Sequence, residues 1–206
     1  DIDGEAGSDY SGMSVSLSSD GTILAVDAIY KDGSKGRVRV YGWAGGSWTQ
    51  LIGDIDGEAA DDQSGYSISL SSDGTTLAVG AINNDGTDTN ASHVRVYKLT
   101  RSLDWTPATP NDEGLKPQFP DKDDPSSDHA GARVAVSADG ARVFASAYNH
   151  YHSYGRIYEY AHDGAAWGVA RTYFHSESGR RLGFGLGVSA DGETVIGGSP
   201  TYSANR

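Results

Sequence analysis

The chain has 206 residues, with 28 Gly, 12 Tyr, one Met, no Cys and a formal charge of −12 from 28 acidic and 16 basic side chains. That sign argues against a nucleic-acid backbone or an anionic membrane as partner, no apolar run reaches membrane-spanning length, and the lack of Cys removes both a disulfide framework and a thiolate metal site. The length suits one all-β domain with a sizeable core, and the chain opens at Asp1 without an initiator Met or an apolar leader, as a processed, trimmed or incompletely covered chain would.

In chain order, the loop DIDGEAGSDYS leads into predicted strands over 13–17, 23–28, 37–41 and 48–52, with turns at Asp20-Gly21 and at 44–46. The second repeat opens on the same five residues, Asp54 to Glu58, and its stretch 65–80, GYSISLSSDGTTLAVG, shows the unit most plainly. Small or apolar residues alternate, turn at Asp73-Gly74 and resume, which is the pattern of a half-buried β-hairpin. Its third strand is placed at 94–97, a turn at 101–104 and an aromatic at Trp105. The segment 107–128 carries five prolines and many Asp residues, so it reads as a loop insertion.

The third repeat has strands at 132–137, 143–147 and 156–160 with Trp167, and the fourth has strands at 184–189 and 194–198 before the chain stops. The units start at Gly12, Gly65, Gly131 and Gly183, spaced by 53, 66 and 52 residues. A period of this length signals a repeated supersecondary unit. Four strands per unit is what a propeller blade needs. The expectation is therefore an all-β chain, a β-propeller or propeller fragment built from four-stranded antiparallel blades. It forms one domain over 1–206 with repeats of approximately 1–53, 54–118, 119–174 and a truncated 175–206. The recurrent pairs Tyr41/Trp48, Tyr97/Trp105 and Tyr160/Trp167 are expected to cover contacts between blades.

Phe184-Gly185 and Gly198-Ser199-Pro200, with Gly65-Tyr66-Ser67-Ile68 and Val79-Gly80-Ala81 in the same register, resemble the FG-GAP repeats of integrin α-subunit β-propellers. The resemblance covers nearly the whole chain. It implies an extracellular or cell-surface setting, calcium-binding DxDxDG loops between the first two strands of a blade, and ligand binding on the face that gathers the interblade loops and the loops from second to third strands. The equivalent loops here read Ser-x-Asp-Gly, one carboxylate each, too few for a cage and sufficient for a tight turn.

On the loop-rich face the residues that suit a ligand are Tyr30, Asn149, His150, Tyr151, His152 and Tyr154. Asp54, Asp56, Glu58, Asp61 and Asp62 offer closely spaced oxygens to a possible Ca²⁺. Exposed acidic turns would look the same. His150 and His152, two apart, share one side of an extended segment and suit a metal only with a third ligand from elsewhere. Asp27 stands where Gly80, Ser146 and Gly198 stand in the other repeats. Salt-bridging to Lys31 or Arg37, or a place in a site, would both account for it. The leading expectation is a non-catalytic module that recognises protein or glycan. The alternative is a polysaccharide hydrolase or lyase, with Asp27, Tyr30, His150 and His152 as its candidate catalytic groups. A strand-completing partner or an oligomer would cover the open last blade.

Overall fold

The computed structural model describes residues 1–51, 53–84, 92–99, 105–107, 129–149, 153–163, 166–174 and 179–200, with the backbone alone at 105–107. The expected turn at 101–104 and the insertion from 108 to 128 lie outside the described residues. Four antiparallel sheets follow one another along the chain. The first contains β1 (Ser11–Leu17), β2 (Ile23–Ala28), β3 (Arg37–Ala44) and β4 (Ser47–Gln50) in that order, with β5 (Ile55–Asp56) also pairing β3. The second holds β6 (Ser64–Leu70), β7 (Thr76–Ala81), β8 (His93–Leu99) and β9 (Trp105–Pro107). The third holds β10 (Ala130–Val136), β11 (Arg142–Ala147), β12 (Arg156–His162) and β13 (Trp167–Phe174), and the fourth pairs β14 (Gly185–Val188) with β15 (Val195–Gly198). First strand packs on first strand, β1 on β6, β6 on β10 and β10 on β14, as in a propeller-like arrangement, without closing into a ring among the described residues.

The Ser-x-Asp-Gly turn explains itself atom by atom. Ser18 Oγ donates to Asp20 Oδ1 at 2.7 Å and accepts the Ile23 amide at 2.9 Å, while Asp20 Oδ1 also accepts the Thr22 amide. The same three bonds recur around Ser71/Asp73, Ser137/Asp139 and Ser189/Asp191. Gly21, Gly74, Gly140 and Gly192 take the left-handed conformation that closes the turn. The middle residues then tie the sheets together: Ser19 N donates to Ser72 O, Ser72 N to Ala138 O and Ala138 N to Ala190 O. The carboxylates are thus committed to the turn, and these loops do not fit the calcium cage of the resemblance.

Each first strand is an edge whose amides need partners. For β6 and β10, serines on the preceding sheet supply them: Ser14 Oγ and Ser16 Oγ accept the amides of Ile68 and Leu70, and Ser69 Oγ accepts that of Val136. Between these seams lies the apolar core. Ala25, Val38 and Val40 of the first sheet meet Ile68, Leu70, Leu77, Val79 and Tyr97 of the second, and Ala78, Val94 and Val96 meet Val143, Ala145, Tyr158 and Tyr160 of the third. Tyr97 and Tyr160 therefore lie at contacts between sheets, as expected, and Trp167 packs against the second of these clusters. Trp48 differs, turning edge-on to Trp43 across its own hairpin at 5.2 Å. β5 is an element that alternation alone did not indicate. It forms because Ile55 drops into the core beside Val38.

Candidate functional site

The Ser-x-Asp-Gly turns occupy one end of the sheets and the interblade loops the other. At that second end the loops between second and third strands of the first and third sheets are bonded to the loop leading into the next sheet. Asp61 N reaches Gly33 O, Gln63 N reaches Ser34 O, Arg181 N reaches Ser153 O and Leu182 N reaches Tyr154 O. Tyr30, Asn149 and Tyr154 all belong to this loop-rich end, whereas His150, Tyr151 and His152 lie outside the described residues.

The acidic runs at this end act as clamps. Glu5 pairs with Lys31 at 3.0 Å and with Arg39, and Lys31 lies 3.3 Å from Asp9. Hydrogen bonding from Lys31, ahead of Arg39, holds the Glu5 carboxyl below its usual range. One repeat later Glu58 pairs with Arg95 at 3.1 Å and accepts from Asn84, while Asp62 Oδ2 accepts from Asn84 Nδ2 and from the amides of Glu58 and Ala59. Glu5 and Glu58 thus do the same job, as do Arg39 and Arg95. Asp54 and Asp56 turn to Arg37 at 2.8 and 2.7 Å, and Asp54 also to Arg39. Four of the five acids, Asp54, Asp56, Glu58 and Asp62, are divided among these partners, and no group of three or more His, Asp or Glu suited to a metal occurs among the described residues.

Asp27 is 1% exposed. Its Oδ1 accepts the amides of Gly12 at 3.1 Å and Ser14 at 2.9 Å, and its Oδ2 is buried without a hydrogen-bond partner. Ser146, two repeats on, accepts the amide of Arg133 in the same manner. The position thus serves the bulged start of the first strand, where register shifts between Ser11 and Val15 and Gly12 turns to φ +89. Burial, opposed by the Ser14 and Gly12 amides, pushes the Asp27 carboxyl up to about 6. The cleft beside it, also lined by Glu5, Asp9, Lys31, Arg37 and Arg39, has only about 10 Å³ free, roughly one water. Neither Lys31 nor Arg37 makes an ion pair with Asp27; their carboxylate partners include Glu5 and Asp32.

A second group gathers around the inner strands at the loop-rich end. Tyr10 meets Tyr30 edge-on at 5.1 Å. Tyr148 stacks on His129 at 5.3 Å and meets Phe184 edge-on at 5.5 Å, and Asn149 Nδ2 lies 3.0 Å from His129 Nδ1. The same end carries an opening of about 290 Å³ lined by Met13, Ser14, Ile29, Tyr66, Ser67 and Arg133. Burial raises the Tyr148 hydroxyl, whose electrostatic neighbours are Tyr66, Arg181 and Arg133. Tyr30 and Asn149 were expected at a ligand face; Tyr10, Tyr66, His129, Arg133, Tyr148 and Phe184 were not. A signal existed, because Tyr148 stands where the first two repeats carry Ile29 and Ile82, and Arg133 where they carry Ser14 and Ser67.

No protein-family profile matches the chain, and no curated protein sequence matches it. Solved structures do share its shape. Hydrazine synthase of Kuenenia stuttgartiensis superposes with a TM-score of 0.57 at 15% identity, covering 98% of this chain and 45% of that one. Sqt1 of Chaetomium thermophilum, bound to the N-terminus of ribosomal protein L10, gives 0.55 at 18% identity over 89% and 40%. TolB of Acinetobacter baumannii gives 0.51 at 14% over 96% and 39%. The chain spans less than half the length of each. At such identities the likeness defines a fold, an all-β chain of propeller-like antiparallel sheets, and nothing about activity.

Proposed function

We propose that the chain is part of an FG-GAP-like β-propeller whose loop-rich end is a non-catalytic surface for a protein or glycan ligand. The observation that supports this reading is the gathering of rings at the loop-rich end, Tyr10 with Tyr30 and Tyr148 with His129 and Phe184, Tyr148 having Tyr66 and Arg133 of the opening as electrostatic neighbours. Tyr10 is 59% and Phe184 47% exposed, a poor disposition for rings serving only a core. Tyrosines offer a flat apolar face and a hydroxyl at low conformational cost, which suits sugar rings and peptide side chains alike. A combined glycan and protein array probed with wild type and with a Tyr148→Ala/Phe184→Ala variant tests the reading. Binding by wild type that the variant loses is the expected result; no bound ligand, or equal binding by both, would sink it.

A further inference from the structure

The arginine at the opening separates this surface from the rest of the molecule. Lys31, Arg37, Arg39, Arg95 and Arg142 each lie within ion-pair distance of a carboxylate. Arg133 is exposed; its Nη1 donates to the Ala132 carbonyl, and among the described residues it makes no ion pair. None of the described residues lining the opening is acidic, in a chain whose formal charge is −12. Around the cation stand groups that suit a polyhydroxylated ring. Tyr66 supplies a planar face and a hydroxyl. Ser14 Oγ accepts the Ile68 amide and keeps its proton to donate, whereas Ser67 Oγ donates to the Gly131 carbonyl and keeps lone pairs to accept.

Resting on the binding role given above, we propose that this opening takes an acidic glycan, a sugar ring bearing one carboxylate, with Arg133 as the group that selects it. A guanidinium presents a flat fork that matches a carboxylate by two parallel hydrogen bonds, and such charge-assisted bonds are roughly twice as strong as neutral ones. One cation among neutral donors and acceptors fits one carboxylate per ring better than a dense polyanion. It also fits a hydroxylated ring better than an acidic peptide, because the ring brings several groups that both donate and accept to Ser14, Ser67 and Tyr66, whereas a peptide backbone brings one donor and one acceptor per residue. Among the described residues that line the opening Arg133 is the cation, so in a chain of net negative charge it is through Arg133 that the opening favours an anion.

Calorimetry on the 206-residue chain with a galacturonate oligomer, the matching neutral galactan oligomer and a polyglutamate peptide is the test. The galacturonate oligomer is expected to bind at least about tenfold more tightly than either of the others, a preference worth about 1.4 kcal/mol. Arg133→Gln should erase that preference without moving the melting temperature, because the side chain is exposed and holds no ion pair among the described residues. Equal affinity for acidic and neutral oligomers, no binding of the acidic oligomer, tighter binding of the peptide, or indifference to Arg133→Gln would each overturn the assignment. A neutral glycan or a protein ligand lost in the Tyr148→Ala/Phe184→Ala variant and indifferent to Arg133→Gln would overturn it while leaving the broader binding role standing.

Discussion

Replacing Asp27 by Asn isolates the effect of one buried charge. The amide oxygen can keep accepting from Gly12 and Ser14, and the amide nitrogen takes the place of the unpartnered Oδ2. Because burial raises the carboxyl from 3.8 to about 6, the folded chain holds a proton that the unfolded chain has released across that interval. Stability therefore falls as pH rises from about 4 to about 6 and stays at its lower level above. At about 1.4 kcal/mol per pH unit the full interval corresponds to about 3 kcal/mol, which access to water through the neighbouring cleft reduces to about 1–2 kcal/mol. Asp27→Asn should gain that amount at pH 8 and little or nothing at pH 4, read as urea midpoints by tryptophan fluorescence. Asp27→Ala should lose about 1–3 kcal/mol at both, because the two amides of the bulge lose their acceptor. An Asn variant less stable than wild type at pH 8 would refute the reasoning. It would mean that Lys31, Arg37 and Arg39, which line the same cleft with Glu5 and Asp9, stabilise the carboxylate by more than burial costs it.

Contacts between sheets give a second expectation. A methyl group on Gly80 would sit 2.1 Å from the Gly131 carbonyl, whereas one on Gly187 meets nothing within 4 Å. Gly80→Ala should cost about 1–3 kcal/mol and Gly187→Ala under about 1 kcal/mol in the same urea titration, and equal costs would count against the close approach. The turn carboxylates should respond to acid with the opposite sign to Asp27. Hydrogen bonds from Ser18, Ser137 and Ser189 hold Asp20, Asp139 and Asp191 below 3.8, so the stability they confer is present above that value and lost as pH falls through the lowered one. Asp139→Asn should flatten the acid limb of a pH titration of the melting temperature; an unchanged limb would show that the turn bonds do not depend on charge.

The hairpins were legible because a period of two broken by Asp-Gly leaves few alternatives, and four copies in register remove most of those. The serine seam was not. Ser14, Ser16, Ser67 and Ser69 form the polar half of an alternation that ordinarily faces water, and only the packing of sheet on sheet turns Ser14, Ser16 and Ser69 toward edge amides of the next strand and Ser67 toward the Gly131 carbonyl. The clamps Glu5–Arg39 and Glu58–Arg95 were hidden for a different reason: each joins a loop to a third strand more than 30 residues away, beyond any local pattern. The run from Asp54 to Asp62 reads equally as a cation site or an acidic turn because spacing along the chain carries no information about which guanidinium groups approach from another strand. Asp27 stood out by comparison with its sister positions, and its geometry shows that a carboxylate can do there what the Ser146 hydroxyl does.

That comparison carries further than any motif. In a stack of repeated sheets, positions that touch a neighbouring sheet are held to what the neighbour tolerates: Asp27, Gly80 and Ser146 each lie against the bulge glycine of the next first strand. Positions at the rim are not held in this way, so departures from the repeat there cost little in packing. Arg133 is a departure that does have a structural cost. It stands, with Ala135, where the first two sheets carry Ser14/Ser16 and Ser67/Ser69, so β14 receives no serine hydroxyl from those positions of the third sheet. A hydrogen bond of this kind contributes about 1 kcal/mol. The fourth sheet is accordingly joined to the third through the turn bond from Ala138 to Ala190 and through Arg181 and Leu182 at the loop-rich end. An arginine exchanged for a seam serine, exposed beside Tyr66 and Tyr148 in an acidic chain, gives up part of the packing rule that the other repeats obey. Such local exceptions to an otherwise consistent pattern are where function is expected to reside.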